Sequence, residues 1–204
     1  MKSKMSGLLY VISGPSGAGK STVIENLLKN TPGLAYSISH TSRKPRGEEK
    51  DGVDYHFTAK EAFEQMIREG EFVEWAEVYG DYYGTSLSGL KMQRDRGLDV
   101  VMDVDVQGAK NIKQSFEESI LVFILPPSLE ILERRLKNRG TESEEAVKNR
   151  IEKALKEVAN CVWYDYLILN EDLDRAVQEA SSIVISERCR RSRQLSRVRS
   201  LFKI

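Results

Sequence analysis

Four short apolar, β-rich runs punctuate the chain: LLYVIS at Leu8–Ser13, DVVMDVD at Asp99–Asp105, ILVFIL at Ile120–Leu125 and YLILN at Tyr166–Asn170. They are nearly continuous rather than alternating, as expected of strands covered on both faces, and so predict a parallel sheet. Between them lie stretches that read as helices, Lys20–Lys29, Ser86–Arg96, Gln107–Ser115 and Leu129–Lys137. Thr141 and Glu144 have capping-box spacing and start a further helix running to about Asn160, while Asp172 starts the last one. Strands alternating with helices predict α/β layers, and 204 residues suffice for one domain with a sizeable core.

The rhythm changes over 36–85. A polar loop rich in Arg, Lys and Gly leads to a helix from about Ala59 to Glu69 and then to EFVEWAEVYGDYYGTS, Glu71–Ser86. Read as a strand with alternating faces, this run sets Glu74 beside Phe72, Ala76 and Val78, among groups that normally exclude a carboxylate. Glu77 lies on the other face. An insert with its own polar constellation, set after the first helix, is a candidate substrate lobe. The expected division is a core at 1–35, 86–136 and 160–187, the inserted lobe at 36–85, a separate region at 137–159 and a basic tail at 188–204. In the tail Leu195, Val198 and Phe202 have the spacing of a basic amphipathic helix, suited to an anionic surface or a partner subunit. The simpler expectation is a frayed, solvated end.

Charge and cysteine content narrow the classes. The 31 Lys and Arg residues balance 31 Asp and Glu, so no global field argues for nucleic acid and any basic function must be local. Cys161 and Cys189 have no metal-ligand spacing and are too few for a disulfide framework, which fits a reducing cytosol. LLYVI is too short for a signal-peptide core, and ILVFIL is far short of a membrane span. The expectation is a cytoplasmic protein with no membrane or nucleic-acid partner; homo-oligomerisation stays open.

The strongest motif is GPSGAGKS, which matches G-x-x-x-x-G-K-[ST] directly after a predicted strand and at the opening of a helix. Gly14, Pro15, Ser16, Gly17, Ala18 and Gly19 form a loop whose backbone N–H groups can turn around phosphate oxygens. Lys20 reaches the terminal phosphates, Ser21 can ligate Mg²⁺, and Thr22 follows on the helix. An ATP or GTP site follows. Asp103 and Asp105, at the end of another buried strand, fit the acidic partner near the metal; solvated strand-end aspartates are the plainer alternative. In the insert, Arg43, Lys44 and Arg46 surround Pro45, and Tyr55 follows a glycine-containing turn. This can hold a second phosphate, on an acceptor, or equally be a solvated loop balanced by Glu48, Glu49 and Asp51. A guanine edge offers O6 as acceptor and N1–H and the 2-amino group as donors. A carboxylate at Glu74 with hydroxyls at Ser39 and Thr85 would read it, with Tyr83, or Tyr82, toward the phosphate. Glu74 as a strand-edge ion-pair partner, with Glu77 as rival reader, remains the alternative.

With ISGPSGAGKST, SISHTSRKPRGEEKDGVDYHF, GEFVEWAEVYGDYYGTS, DVDVQGAK, ILPPS, RLKNRGTESEE and LILNEDLD in order, the chain resembles bacterial guanylate kinases over roughly Ser6 to Arg188, the tail falling outside. The resemblance implies an α/β P-loop NTPase core, its parallel sheet flanked by helices, with the insert as a GMP-binding lobe and 137–159 as a lid over ATP. It implies Mg²⁺-dependent transfer of the ATP γ-phosphoryl to GMP, giving GDP and ADP in purine metabolism. It assigns Ser39, Glu74 and Thr85 to guanine, and Arg43, Arg46, Tyr55 and Tyr83 to the GMP phosphate. Asp103 and Asp105 fall beside GMP and Mg²⁺, Arg135, Arg139 and Arg150 around the transferring phosphoryl, and Asn170 near adenine. Arg135 and Arg139 are four apart and share a helix face, but each arginine alone reads as a solvated residue. Two rivals are weighed against this: a GTP-hydrolysing switch, for which no [NT]-K-x-D motif is present, and a non-catalytic guanylate-kinase-like interaction domain, which typically lacks an intact P-loop.

Overall fold

The computed structural model describes residues 6–78, 80–137 and 144–204, with side chains described from 148 onward in the last stretch. In chain order the elements are β1 (Leu9–Ser13), α1 (Lys20–Asn30), β2 (Leu34–Tyr36), β3 (His40–Thr41), β4 (His56–Phe57), α2 (Lys60–Arg68), β5 (Phe72–Val78), β6 (Asp81–Ser86), α3 (Leu87–Asp95) and β7 (Asp99–Asp103). There follow α4 (Val106–Ser115), β8 (Ile120–Leu125), α5 (Leu129–Lys137), α6 (Glu144–Val158), a 3₁₀ turn (Ala159–Trp163), β9 (Tyr166–Leu169), α7 (Leu173–Arg188) and α8 (Arg191–Phe202).

Five strands form a parallel sheet in the order β2-β7-β1-β8-β9. Every residue of β1 is buried, because alternate side chains enter two different cores. Tyr10 and Ile12 join α1 and α7 through Val23, Leu27, Ala176 and Ala180, while Leu9 and Val11 join α3 and α4 through Leu90, Ala109 and Ile112. That two-sided cover is why the run is continuously apolar. The sheet also contains β2, a strand absent from the expected set, whose Leu34–Tyr36 pair with Asp99–Val101. Tyr36 therefore belongs to the core sheet.

The insert builds a second sheet in the order β4-β3-β6-β5, covered by α2. Here the expected alternation is corrected. The β5–β6 register shifts between Phe72 and Glu74, so Phe72 pairs with Ser86 while Glu74 pairs with Thr85. A bulge at this point puts Phe72 on the α2 face, stacked on Phe63 with centroids 4.4 Å apart, and leaves Glu74 on the opposite face with Ala76 and Val78. Glu77 pairs with Tyr82, which stacks on Phe63 on the α2 side.

Two further expectations are revised. The strand read as Asp99–Asp105 ends at Asp103, and Asp105 is the N-cap of α4, its side chain accepting from Gly108 N at 2.8 Å. The tail is not frayed but helical, as α8, with Arg193 donating to Ser6 O at 2.8 Å and Gln194 to Arg188 O at 2.8 Å. Its base is anchored by buried acids, Asp99 accepting from Arg188 at 2.7 Å and Glu187 from Tyr166 and from Arg190. Asp172 caps α7 by accepting from Arg175 N. The Thr141 cap lies outside the described residues. Among the described residues no helix is long and apolar enough to cross a membrane.

Candidate active site

At the end of β1 the chain turns through Gly14, Gly17 and Gly19 with φ of 150°, 90° and 89°. Glycine is required at the first by space as well: a Cβ on Gly14 would lie 2.1 Å from Ile124 O. Gly19 caps α1 without a side-chain bond, so the first N–H groups of that helix stay available to an anion. The loop encloses a cavity of about 470 Å³ lined by Gly14–Gly17, Gly19–Thr22, Asp103–Asp105 and Glu157. Lys20 Nζ donates to Gly14 O at 2.9 Å and stands 3.9 Å from Asp103 Oδ1. Burial pushes the Asp103 carboxyl upward and Lys20 opposes the shift. Ala18, read as part of the loop's phosphate face, is fully buried and outside this lining.

The outer side of the loop is held by residues distant in sequence. Asn170 Nδ2 donates to Ala18 O at 2.8 Å, and Arg135 donates to Gly17 O and Ala18 O at 3.4 Å and to Asn170 O at 3.2 Å. Both residues, with Glu171 and Leu173, line a second cavity of about 450 Å³ beside Gly17, Gly19 and Thr22. Arg135 thus lies on the flank of the P-loop rather than beside Asp103 and Asp105. Arg139 lies outside the described residues, and Arg150 sits partly exposed on α6.

The inserted lobe forms a third cavity of about 270 Å³, lined among others by Ser39, Tyr55, Glu74 and Tyr83, and closed by Asp103, Val104 and Asp105. Thr85 is buried behind it and donates to Glu74 Oε1 at 2.8 Å, with Ser39 Oγ 3.5 Å from Thr85 Oγ1. Burial raises the Glu74 pKa, the Thr85 bond lowers it and Asp105 adds repulsion. Its other oxygen faces Gly108, where a Cβ would come within 3.3 Å, so α4 approaches the carboxylate closely because it carries glycine there. The result is a carboxylate beside two hydroxyls, an acceptor and donor set matching a guanine edge.

Arg43 is buried and forks onto Glu49, Nη1 to Oε2 at 2.6 Å and Nη2 to Oε1 at 2.7 Å, with its guanidinium 4.9 Å from the Tyr55 ring centroid. That pair holds the Glu49 carboxyl down at about 2. Arg46 is exposed; its backbone N–H also donates to Glu49, at 2.8 Å. Tyr55 and Tyr83 rings meet edge to face at 6.0 Å. The loop is therefore not merely solvated: one acid fixes its arginine against Tyr55 at the cavity wall.

Several lining or positioning residues were missed in the sequence, four of them polar groups facing the phosphate and lobe cavities or orienting a side chain there. Tyr36 and Asp54 line the lobe cavity, Glu49 orients Arg43, and Glu157 lines the P-loop cavity from α6. Only Glu49 had a local signal, lying one turn past the arginines as one of three acids credited with balancing them.

Comparison with known proteins gives the family. The family model described as Guanylate kinase matches residues 6–187. The guanylate kinase of Syntrophotalea carbinolica is 48% identical over 201 residues, covering 98% of this chain and 96% of that protein. The one from Neisseria gonorrhoeae is 42% identical over 203 residues and covers 100% of this chain, tail included, whereas the family model ends before the tail, as the sequence resemblance does. The crystal structure of guanylate kinase from Anaplasma phagocytophilum superposes with a TM-score of 0.74 at 31% identity, covering 98% of each chain.

Proposed function

Because the chain belongs to the guanylate kinase family, we infer that it transfers the γ-phosphoryl of ATP to GMP, giving ADP and GDP. The observation that carries this reading is the shared wall: Asp103, Val104 and Asp105 line both the P-loop cavity and the lobe cavity. A triphosphate cradled by the loop and a monophosphate held in the lobe meet at one place, so transfer needs positioning and no covalent enzyme intermediate.

ATP phosphates take the glycine loop and Lys20, with the base toward the flank lined by Arg135 and Asn170. GMP enters the lobe with guanine on Glu74, Thr85 and Ser39, and its phosphate toward Tyr55, Tyr83, Arg43 and Arg46. Adenine is refused because its unprotonated N1 would face the Glu74 carboxylate. Arg139 and Arg150, on the lid region, are assigned to the transferring phosphoryl. Ser21 and Asp105 would hold Mg²⁺: both line the P-loop cavity, and one hydroxyl plus one carboxylate suits a hard cation that keeps several waters. Held there, the ion would supply positive charge against the phosphates. Closure of the lobes excludes water, so hydrolysis does not compete.

The test is a coupled assay of ADP formation with GMP, AMP, CMP and UMP as acceptors. GMP should dominate. Turnover at a comparable rate with no acceptor, or a preference for AMP, overturns the assignment.

A further inference from the structure

Glu157 is a half-buried carboxylate on the last turn of α6, and the reaction as described has no use for it. It lines the P-loop cavity with Lys20, Ser21, Asp103 and Asp105. Among the described residues no hydrogen bond or ion pair engages its carboxylate. Burial pushes its pKa up, Lys153 and Lys20 pull it down and Asp105 pushes it up, which places it within electrostatic reach of both the lysine and the aspartate of the phosphate site. Arg150, Lys153 and Glu157 follow at i, i+3 and i+7, one face of α6, so the acid is the member of that stripe placed at the loop.

Among the described residues, and without the lid arginines assigned to the transferring phosphoryl, the ionisable lining of the cavity is therefore one cation, Lys20, against three acids, Asp103, Asp105 and Glu157. Such a surplus is a poor receptor for a bare triphosphate, since like charges at this range repel in a partly desolvated site. It is a good one for a triphosphate that carries a divalent cation, because the ion turns the same carboxylates into attractive partners. We propose that Glu157 is a selectivity residue that makes the P-loop cavity prefer the metal-bound triphosphate over the free one. The inference rests on the reading of this cavity as the ATP site. Asp105 and Ser21 would hold the ion, and Glu157 acts from across the cavity through its charge.

The test measures binding by the full chain rather than turnover. Isothermal titration gives the dissociation constant for ATP in EDTA and in excess Mg²⁺, and their ratio is the selectivity. Glu157→Gln should tighten binding of free ATP, weaken that of MgATP and reduce the ratio by about tenfold. Electron paramagnetic resonance of Mn²⁺ with the enzyme and ATP should show weaker ion binding by several-fold. Glu152→Gln, an exposed change on the same helix, should leave the ratio intact. If the glutamine variant melts early, Glu157→Asp replaces it: a ratio within about threefold of wild type supports a charge effect, and a full collapse overturns it. An unchanged ratio in folded Glu157→Gln, or an equal fall in Glu152→Gln, also overturns the inference. Failure of the wild-type protein to bind ATP in either medium would instead sink the reading of the site.

Discussion

Replacing Glu74 with leucine tests the guanine reader directly. Thr85 Oγ1 holds one carboxylate oxygen at 2.8 Å and Gly108 of α4 backs the other, so the side chain is wedged between β6 and α4. Leucine there leaves guanine N1–H and N2–H without an acceptor in a closed site. Two unpaired donors cost about 2–5 kcal/mol together, or roughly 30- to several-thousand-fold in kcat/KM for GMP. AMP should remain poor, because removing the carboxylate deletes a repulsion against adenine N1 but builds no donor for it; discrimination shrinks rather than reverses. Stability should change little. The wild-type carboxylate is held against its own desolvation, and relief of that cost offsets the acceptor lost by Thr85. The assay is coupled ADP formation with GMP and AMP, alongside thermal melting. Glu77→Leu is the control, since Glu77 is exposed and pairs with Tyr82 on the other face of the lobe. Greater loss of GMP activity in Glu77→Leu than in Glu74→Leu, with both proteins folded, refutes the assigned register.

Lys20→Ala should abolish phosphoryl transfer while GMP still binds, because the P-loop and the lobe hold different phosphates; near-normal turnover of the purified variant, or loss of GMP binding measured by calorimetry, counts against this. Glu49 is held at about 2 against an ordinary 4.5, so its contribution is present above pH 4.5 and lost as pH falls from there toward 2. Glu49→Gln should flatten that acid limb in pH-dependent melts and raise KM for GMP as Arg43 loses its anchor, whereas superimposable acid limbs would show the pair to be idle. Truncation after Glu187 removes the arginine partners of buried Asp99 and Glu187, leaving them Leu8 N–H and Tyr166, while truncation after Arg190 keeps both ion pairs. Arg190 is 60% exposed on its side chain, so most of the loss comes from Arg188–Asp99. The shorter chain should melt about 5–10 °C lower and the longer one within about 2 °C of the full chain; equal shifts would move the anchor into α8.

The parts of the site that sequence made legible are those whose chemistry is local. GPSGAGKS carries its own turn geometry and sits between a continuously apolar strand and a helix, so position and purpose follow from eight residues. The strands of the parallel sheet were readable for a related reason: burial on both faces removes the alternation that would otherwise mimic other elements. Elsewhere a local pattern met a non-local decision. The bulge at Val73 switches Phe72 to the α2 face, a choice made by stacking on Phe63 that period-2 counting does not contain. Glu74 kept its assigned face with Ala76 and Val78 because the bulge precedes it. Asn170 and Arg135 show the same limit at longer range. Their partners, Ala18 and Gly17, lie 152 and 118 residues away, and nothing in YLILN or in an arginine-rich helix end announces a backbone carbonyl as the target. The tail was misread because arginines without acids suggest solvation, whereas the acids that order its base, Asp99 and Glu187, stand on β7 and α7. A charge run can be judged solvated only once the elements packed against it are known, and in this fold the first strand neighbour of β1 supplies the buried acid that ties the chain's last two helices to its core.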